Sequence, residues 1–199
     1  MQFIIATHNK HKVLEFKRIL NPLGIDVISQ SEAGIDVEIV EDGITFSENS
    51  LKKAKTVSSA GNCIAIADDS GICIDAFDGA PGVFSARFLG EDTPYTQKNS
   101  IVLDRMKDVD EKDRGARYVC AISCVFPSGD VISTEGICEG KIGYEPKGSH
   151  GFGYDPVFYV GDKSMAEISD AEKDEISHRG IALKKFVEEL KIYMNKKGE

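Results

Sequence analysis

Acidic side chains at two places in the sequence are candidates for metal binding and acid–base chemistry. Asp68 and Asp69 directly follow the apolar run 63–67, and Glu41 precedes a predicted helix start. Carboxylates at the carboxyl end of a buried strand face the crevice where α/β proteins bind ligands. Mg²⁺ takes one or two carboxylates and completes its shell with water and phosphate oxygens, and a neighbouring carboxylate can deprotonate an attacking water. Taken alone, however, residues 68–71 predict a capped turn, and Glu41 reads as an ordinary surface acid.

A basic segment between the first predicted strand and the first predicted helix is a candidate phosphate site. Lysines in the first turn oppose the helix dipole, which is unfavourable unless an anion binds at the free N–H groups. The alternative is a solvated helix start at which the lysines point into water. The segment is not a P-loop, because GxxxxGK[ST] occurs nowhere in the chain. Its residues are Thr7, His8, Asn9, Lys10, His11 and Lys12.

Two segments nearer the carboxyl terminus are candidates for binding a nucleoside. Glycines on both sides of Phe152 permit close backbone approach, and the ring could stack on a base. Lys173 and Arg179 could contact phosphate or a purine edge, since arginine makes forked contacts. The alternatives are a tight loop with core aromatics and a charged helix start with a structural His178.

The elements that must position these residues alternate between strands and helices. The spacing predicts a mixed β-sheet in an α/β fold, with a helix over 10–20 and a capping box at Thr45 and Glu48 opening a helix that ends near Gly61. The predicted strands are 3–6, 25–29, 63–67, 72–76 and a hairpin of 117–126 with 131–138, with the polar turn 68–71 between the third and fourth. Further helices are predicted over 97–106 and at the end of the chain.

The composition predicts one domain over residues 1–199, with enough apolar material for a substantial core. A net charge of −9 argues against binding nucleic acid but leaves room for a small anionic substrate. Five cysteines without a CxxC pair indicate buried thiols in a reducing compartment. The sequence has no basic leader and no stretch of ~20 apolar residues, so we expect a cytoplasmic protein that does not bind membranes.

Together, the candidate segments resemble one family, the inosine triphosphate pyrophosphatases, which hydrolyse non-standard purine nucleotides. Five segments in family order, spread over nearly the whole chain, make the resemblance specific. Two positions depart from the pattern: His8 stands where many members carry glycine, and Asp174 where asparagine is frequent. The matching stretches are 6–12 with Glu15, 41–49 with 53–54, 67–71 running through 79–87, 151–156, and 165–167 with 172–173 and 176–180.

The resemblance implies cleavage between the α and β phosphates of ITP, dITP or XTP. It implies that Asp69 is the general base and a Mg²⁺ ligand, with Glu41 near the metal and Asp68 as a further candidate ligand. Residues 7–12 would hold the triphosphate with Ser70 beside it. The implied nucleoside pocket consists of Phe152, Gly153, Tyr154, Asp155, Lys173, His178 and Arg179. The family fold is an elongated mixed sheet with flanking helices and two lobes around the substrate cleft, and members are usually homodimers.

Base selection has a simple physical origin in part. A pocket that donates to O6 accepts hypoxanthine or xanthine and meets the amino group of adenine donor to donor, which costs ~1–3 kcal/mol. Guanine also carries O6, so this argument does not reject GTP. Two alternatives stay open: a pyrophosphatase for other modified or standard nucleotides, and a non-catalytic nucleotide-binding module, which has no need of Glu41 and Asp69.

Overall fold

A seven-stranded mixed sheet runs through the computed structural model, which describes residues 1–198. The strand order is β2-β1-β3-β4-β5-β6-β7. β1 is parallel to both β2 and β3, whereas β6 is antiparallel to both β5 and β7. The predicted mixed α/β sheet is therefore confirmed. The strands are β1 (Gln2–Ile5), β2 (Asp26–Ser29), β3 (Ala65–Ile74), β4 (Gly115–Val125), β5 (Val131–Ile142), β6 (Phe158–Val160) and β7 (Lys163–Ser164).

Five α-helices accompany the strands within residues 1–198. The predicted helix over 10–20 is confirmed at both ends, and the predicted capping box is present: Glu48 N donates to Thr45 Oγ1 at 3.1 Å, and Thr45 N donates to Glu48 Oε2 at 3.3 Å. No helix in this part of the chain combines the length and hydropathy needed to cross a bilayer. The helices are α1 (Lys10–Leu20), α2 (Phe46–Gly61), α3 (Tyr95–Arg105), α4 (Asp170–Ile176) and α5 (His178–Lys197).

β3 differs from the sequence prediction, because residues 68–71 continue the strand and form no turn. Asp68 and Asp69 are only 1% and 6% exposed within it. Buried charges persist only where they are paired, and both carboxylates have cationic partners from distant parts of the chain. Since successive strand residues point to opposite faces, the two aspartates lie on opposite sides of the sheet.

Two compact units can be distinguished in the chain. The first comprises residues 1–69, 120–136 and the chain from residue 179 onward. Its β1 and β3 carry apolar side chains on both faces: Ile66 belongs to the core that α1 and α5 share, and Ala65 and Ala67 belong to the core that contains Ala54 and Val57 of α2. Asp68 therefore faces α1 and α5, and Asp69 faces α2.

The second unit comprises residues 70–119 and 137–178, with its own apolar core around Ile72, Tyr118 and Phe158. The expectation of one two-lobed domain with a cleft between the lobes stays a prediction. All five cysteines are free. Cys120, Cys124 and Cys138 are buried, as expected, whereas Cys63 and Cys73 are half-buried.

Candidate active site

Asp69 lies in a cluster of charged side chains that β3 and α2 build together. Asn49 Nδ2 donates to Asp69 Oδ2 at 3.2 Å, and Lys53 Nζ donates to Asp69 Oδ1 at 3.1 Å. Asn49 and Lys53 are four residues apart on α2, so they share one face of the helix. Lys53 Nζ also lies 3.0 Å from Glu41 Oε2. The structure thus brings the predicted acids Glu41 and Asp69 to one lysine.

Gly43 fixes the loop that carries Glu41. Its backbone N–H donates to Asn49 Oδ1 at 2.8 Å. A Cβ at Gly43 would lie 2.6 Å from the same oxygen and 2.9 Å from Cβ of Glu48, so a side chain here would force the loop or Asn49 to shift. Asn49 therefore connects the Glu41 loop with Asp69 through its two amide atoms.

The electrostatics of this cluster suit a general base. Burial raises the pKa of Asp69. The positive charges of Lys53 and Lys12 lower this pKa, and the negative charge of Glu41 raises it. The net pKa of Asp69 is above the ordinary value. Burial alone would lower the pKa of Lys53, but the charges of Asp69, Asp68 and Glu41 outweigh it and keep the lysine ionised. The carboxylate therefore has a higher proton affinity than an exposed aspartate, next to a fixed positive charge.

Asp68 belongs to a separate ion-pair network on the opposite face of β3. Its Oδ2 lies 2.9 Å from Arg179 Nη2 and 3.0 Å from Lys12 Nζ, and Arg179 also pairs with Glu15 Oε2 at 2.5 Å. Burial would raise the pKa of Asp68, but the charges of Lys12 and Arg179 hold it well below its usual range. Asp68 is thus an ionised carboxylate that joins β3 to α1 and α5.

The predicted phosphate segment forms the N-terminus of α1. Asn9 is the N-cap residue, and its side-chain oxygen accepts from His11 N at 2.9 Å and Lys12 N at 3.4 Å. Asn9 N in turn donates to Thr7 Oγ1 at 3.1 Å. Two of the helix donors that could meet a phosphate are therefore used inside the chain. Lys12 does not point into water as the solvated-start alternative supposed, whereas Lys10 is exposed.

Asp155 organises the predicted nucleoside segment in the second unit. Its Oδ2 accepts from Phe152 N at 2.8 Å and from Lys173 Nζ at 2.7 Å. Lys173 Nζ also lies 4.8 Å from the centroid of the Phe152 ring. The structure therefore brings Phe152, Asp155 and Lys173 together, with an aromatic ring and a cation beside one carboxylate.

Tyr118 joins this group, although no sequence pattern singled it out. Its hydroxyl donates to Asp155 Oδ1 at 3.2 Å, and its ring stacks on His178 with centroids 4.6 Å apart and an interplanar angle of 13°. Burial and the Asp155 charge raise the pKa of Tyr118 well above its usual value, so the hydroxyl stays a donor. His178 is therefore held against the Asp155 group through Tyr118.

The other predicted site residues have different surroundings. Tyr154 is buried and donates to Ser85 O at 3.0 Å, so it packs as a core residue. Gly153 O accepts from Asn99 Nδ2 at 3.1 Å. Ser70 is half-buried directly after Asp69. Arg179 lies in the Asp68 network of the first unit, and its contact with a nucleoside stays a prediction.

Sequence reasoning assigned no role to Asn49, Lys53, Glu15 or Tyr118. The first two had a usable signal, because their spacing of four residues on a capped helix continues to the core residue Val57 and places all three on one face. Glu15 and Tyr118 had none beyond the family resemblance or a strand pattern, since their partners are more than 30 residues away. Among residues 1–198, no three His, Cys, Asp or Glu side chains converge on a common metal position, which is compatible with an ion that takes only two carboxylates.

Comparison with known proteins identifies the family. Residues 3–189 match the Ham1 family. The dITP/XTP pyrophosphatase of Bacillus subtilis (strain 168) is 49% identical over 185 residues, which cover 92% of this chain and 93% of the relative. The dITP/XTP pyrophosphatase of Exiguobacterium sibiricum is 43% identical over 98% of this chain and 99% of its own.

Solved structures agree with the sequence comparison. The Ham1 protein of Staphylococcus aureus matches with a TM-score of 0.85 at 36% identity, covering 96% of this chain and 98% of that one. A HAM1 protein from Coxiella burnetii matches with a TM-score of 0.86 at the same identity and coverage. The resemblance predicted from the five sequence segments is confirmed, and this chain belongs to the Ham1 family.

Proposed function

We propose that this chain is a nucleoside triphosphate pyrophosphatase that converts ITP, dITP and XTP to the monophosphate and pyrophosphate. The observation that carries the proposal is the buried Asp69, held by Asn49 and Lys53 next to Glu41. The names of the relatives in Bacillus subtilis and Exiguobacterium sibiricum support the choice of substrate. Removal of deaminated purines from the nucleotide pool is the corresponding cellular role.

Glu41 and Asp69 fit the requirements of a magnesium ion. Their oxygens converge on one cationic atom, Lys53 Nζ, at 3.0 and 3.1 Å, so the geometry already favours positive charge there. The Glu41 side chain is 36% exposed, which leaves room for the water and phosphate ligands that Mg²⁺ retains. We propose that these two carboxylates hold Mg²⁺, which when bound supplies positive charge next to the phosphate oxygens. Asp68 is the weaker candidate ligand, because its Oδ2 is already bound to Lys12 and Arg179.

Asp69 is proposed to accept a proton from the water that attacks the α phosphorus. The new P–O bond forms as the bond from the α phosphorus to the bridging oxygen breaks, and pyrophosphate departs with the electron pair. Lys53 and Lys12 lie close enough to Asp69 to lower its pKa. Their positive charges would stabilise the negative charge that accumulates on the leaving group. A proton affinity above that of an ordinary aspartate favours the transfer.

Binding of the substrate is assigned to two groups of residues. For the triphosphate we propose the segment 7–12, in which His8, Asn9, Lys10 and His11 are exposed. For the nucleoside we propose Phe152, Lys173 and His178, whose positions depend on Asp155 and Tyr118. The resemblance further leads us to propose a cytoplasmic homodimer, which light scattering on the purified protein would test.

A release assay over a nucleotide panel tests the proposal. The purified chain is incubated with dITP, ITP, XTP, GTP and dTTP, with Mg²⁺ or with EDTA, and pyrophosphate, orthophosphate and monophosphate are quantified. We expect equal amounts of pyrophosphate and monophosphate, faster turnover of the first three nucleotides, and loss of turnover in EDTA. Preference for dTTP would contradict the purine assignment, and orthophosphate release would contradict cleavage between the α and β phosphates. Binding of ITP without any product would favour a non-catalytic module.

A further inference from the structure

Gln30 is a fully buried amide beside the proposed phosphate segment. It directly follows β2, is 0% exposed, and its backbone N donates to Ile5 O at 3.0 Å. β1 and β2 are parallel, so their carboxyl ends bring Gln30 next to the residues that follow β1. The side-chain Nε2 of Gln30 lies 3.2 Å from Nε2 of His8.

This contact determines which nitrogen of His8 carries the proton. An amide nitrogen donates and cannot accept, so the facing ring nitrogen must be the acceptor. In this orientation of the amide, Nε2 of His8 is the acceptor, and a neutral ring then carries its proton on Nδ1. Free imidazole side chains in water favour the opposite tautomer, so the arrangement requires Gln30.

In the structure the amide nitrogen of Gln30, and not its oxygen, faces His8. Oε1 of Gln30 is buried without a hydrogen-bond partner within residues 1–198. If the amide were reversed, the carbonyl oxygen would face His8 and would require a proton on its Nε2. The two amide orientations thus correspond to two protonation patterns of one exposed histidine.

We infer that Gln30 is a positioning residue, which holds His8 as the Nδ1–H tautomer so that this proton is donated to the substrate triphosphate. The inference deepens the proposed function and rests on it for the identity of the ligand. The Nδ1–H group of His8 would be a further donor in the phosphate segment. It supplements the helix terminus, where Asn9 already occupies two backbone donors.

Nitrogen-15 NMR of labelled histidines tests the tautomer without any turnover. The His8 signals are assigned by their loss in His8→Gly. In the wild-type protein we expect protonated Nδ1 and unprotonated Nε2, and addition of inorganic triphosphate should shift the Nδ1 signal. Gln30→Leu should return the ring to the Nε2–H tautomer, and Gln30→Glu, a carboxylate acceptor, should protonate Nε2. A wild-type His8 with protonated Nε2, or an Nδ1 signal unaffected by triphosphate, would overturn the inference.

Kinetics in two backgrounds separate positioning from simple structural support. With dITP, Gln30→Leu should raise KM by about tenfold, the value of one hydrogen bond to a charged group, and change kcat by less than about twofold. In the His8→Gly background the same substitution should leave KM unchanged. An equal rise of KM in both backgrounds would mean that Gln30 acts on the fold alone. Thermal melting of each variant shows whether it is folded, and Gln30→Glu provides a second variant if Gln30→Leu misfolds. If the wild-type chain hydrolyses no dITP, the proposed function fails, while the NMR experiment still decides the role of Gln30.

Discussion

Asp69 receives two side-chain donors from α2, the amide of Asn49 and the ammonium group of Lys53. Asn49 fixes one oxygen through a neutral amide, and Lys53 places a charge at the other. A general base needs a fixed side-chain orientation and a pKa high enough to accept a proton. The contacts with Asn49 and Lys53 fix the orientation of Asp69, and burial raises its pKa.

Replacing this carboxylate should remove turnover and spare the fold. Asp69→Asn keeps the shape but cannot accept a proton, so we expect kcat to fall by ~10²–10⁴, measured as pyrophosphate release from dITP. The matched control is Asp42→Asn, in the same loop as Glu41, where the exposed carboxylate pairs with Lys52 at the surface. Near-normal kcat in Asp69→Asn, with intact thermal melting, would refute its role as the base.

The hydroxyl of Tyr118 should affect binding of the nucleoside and leave the chemical step alone. Tyr118→Phe retains the ring stacked on His178 but removes the donor to Asp155. We expect KM for dITP to rise by about threefold to tenfold with kcat nearly unchanged, and a larger rise in Tyr118→Leu, which also loses the stack. Tyr144→Phe, at an exposed tyrosine of the same unit, is the control. A fall in kcat with unchanged KM would contradict this assignment.

At the scale of elements, features that depend on neighbouring residues could be predicted from the sequence, whereas features that depend on distant residues could not. The bounds of α1 and the capping box of α2 follow from residues within one helical turn of each end, so they could be predicted. β3 was wrongly divided because the partners of Asp68 and Asp69 include Lys12 and Arg179, far away in the sequence. The contact of Gln30 with His8 was not predicted for the same reason, because the two residues are 22 positions apart in the sequence.

The contact between the Glu41 loop and α2 gives a prediction about an element junction. Gly43→Ala places a Cβ against Asn49 Oδ1, so the loop or Asn49 must shift, and we expect the contact between Glu41 and Lys53 to weaken. We expect kcat/KM for dITP to fall by about tenfold or more, whereas Ser47→Ala in the exposed first turn of α2 should leave it unchanged.

A double variant shows whether Gly43 acts through Asn49. The combination Gly43→Ala with Asn49→Ala should be no worse than Asn49→Ala alone, because coupled residues are not additive. Additive losses in steady-state kinetics would mean that the glycine matters for another reason.

At the scale of the whole molecule, the Asp68 network joins segments that are far apart in the chain. Arg179 at the start of α5 is 111 residues from Asp68 and 164 from Glu15. Asp68→Asn leaves a buried guanidinium without its main counter-charge, so we expect a loss of about 3–5 kcal/mol in the free energy of unfolding, measured by urea denaturation. Asp104→Asn, at an exposed surface pair, is the control and should change nothing measurable.

The same network predicts the sign of a pH effect. The pKa of Asp68 in the folded chain is well below the ordinary value of about 4 that applies to the unfolded chain. Its contribution is therefore complete above about pH 4 and is lost as the pH falls further. The stability difference between the wild-type chain and Asp68→Asn should narrow below this pH, and a difference that widened in acid would show that the carboxylate is not the stabilising form.

Adjacent aspartates on one strand also make this chain intolerant of a particular genetic change. Inserting a single codon in β3 before Ala67 would turn every later side chain of the strand to the other face. Asp68 would take the position that faces Lys53, Asp69 would move one residue beyond it, and Ala67 would take the position that faces Arg179. Both acids would remain in the sequence, but the buried guanidinium would lose its carboxylate. The two adjacent aspartates are therefore not redundant, because each has its own partners on its own face of β3. This part of the strand can vary by substitution but not by insertion or deletion.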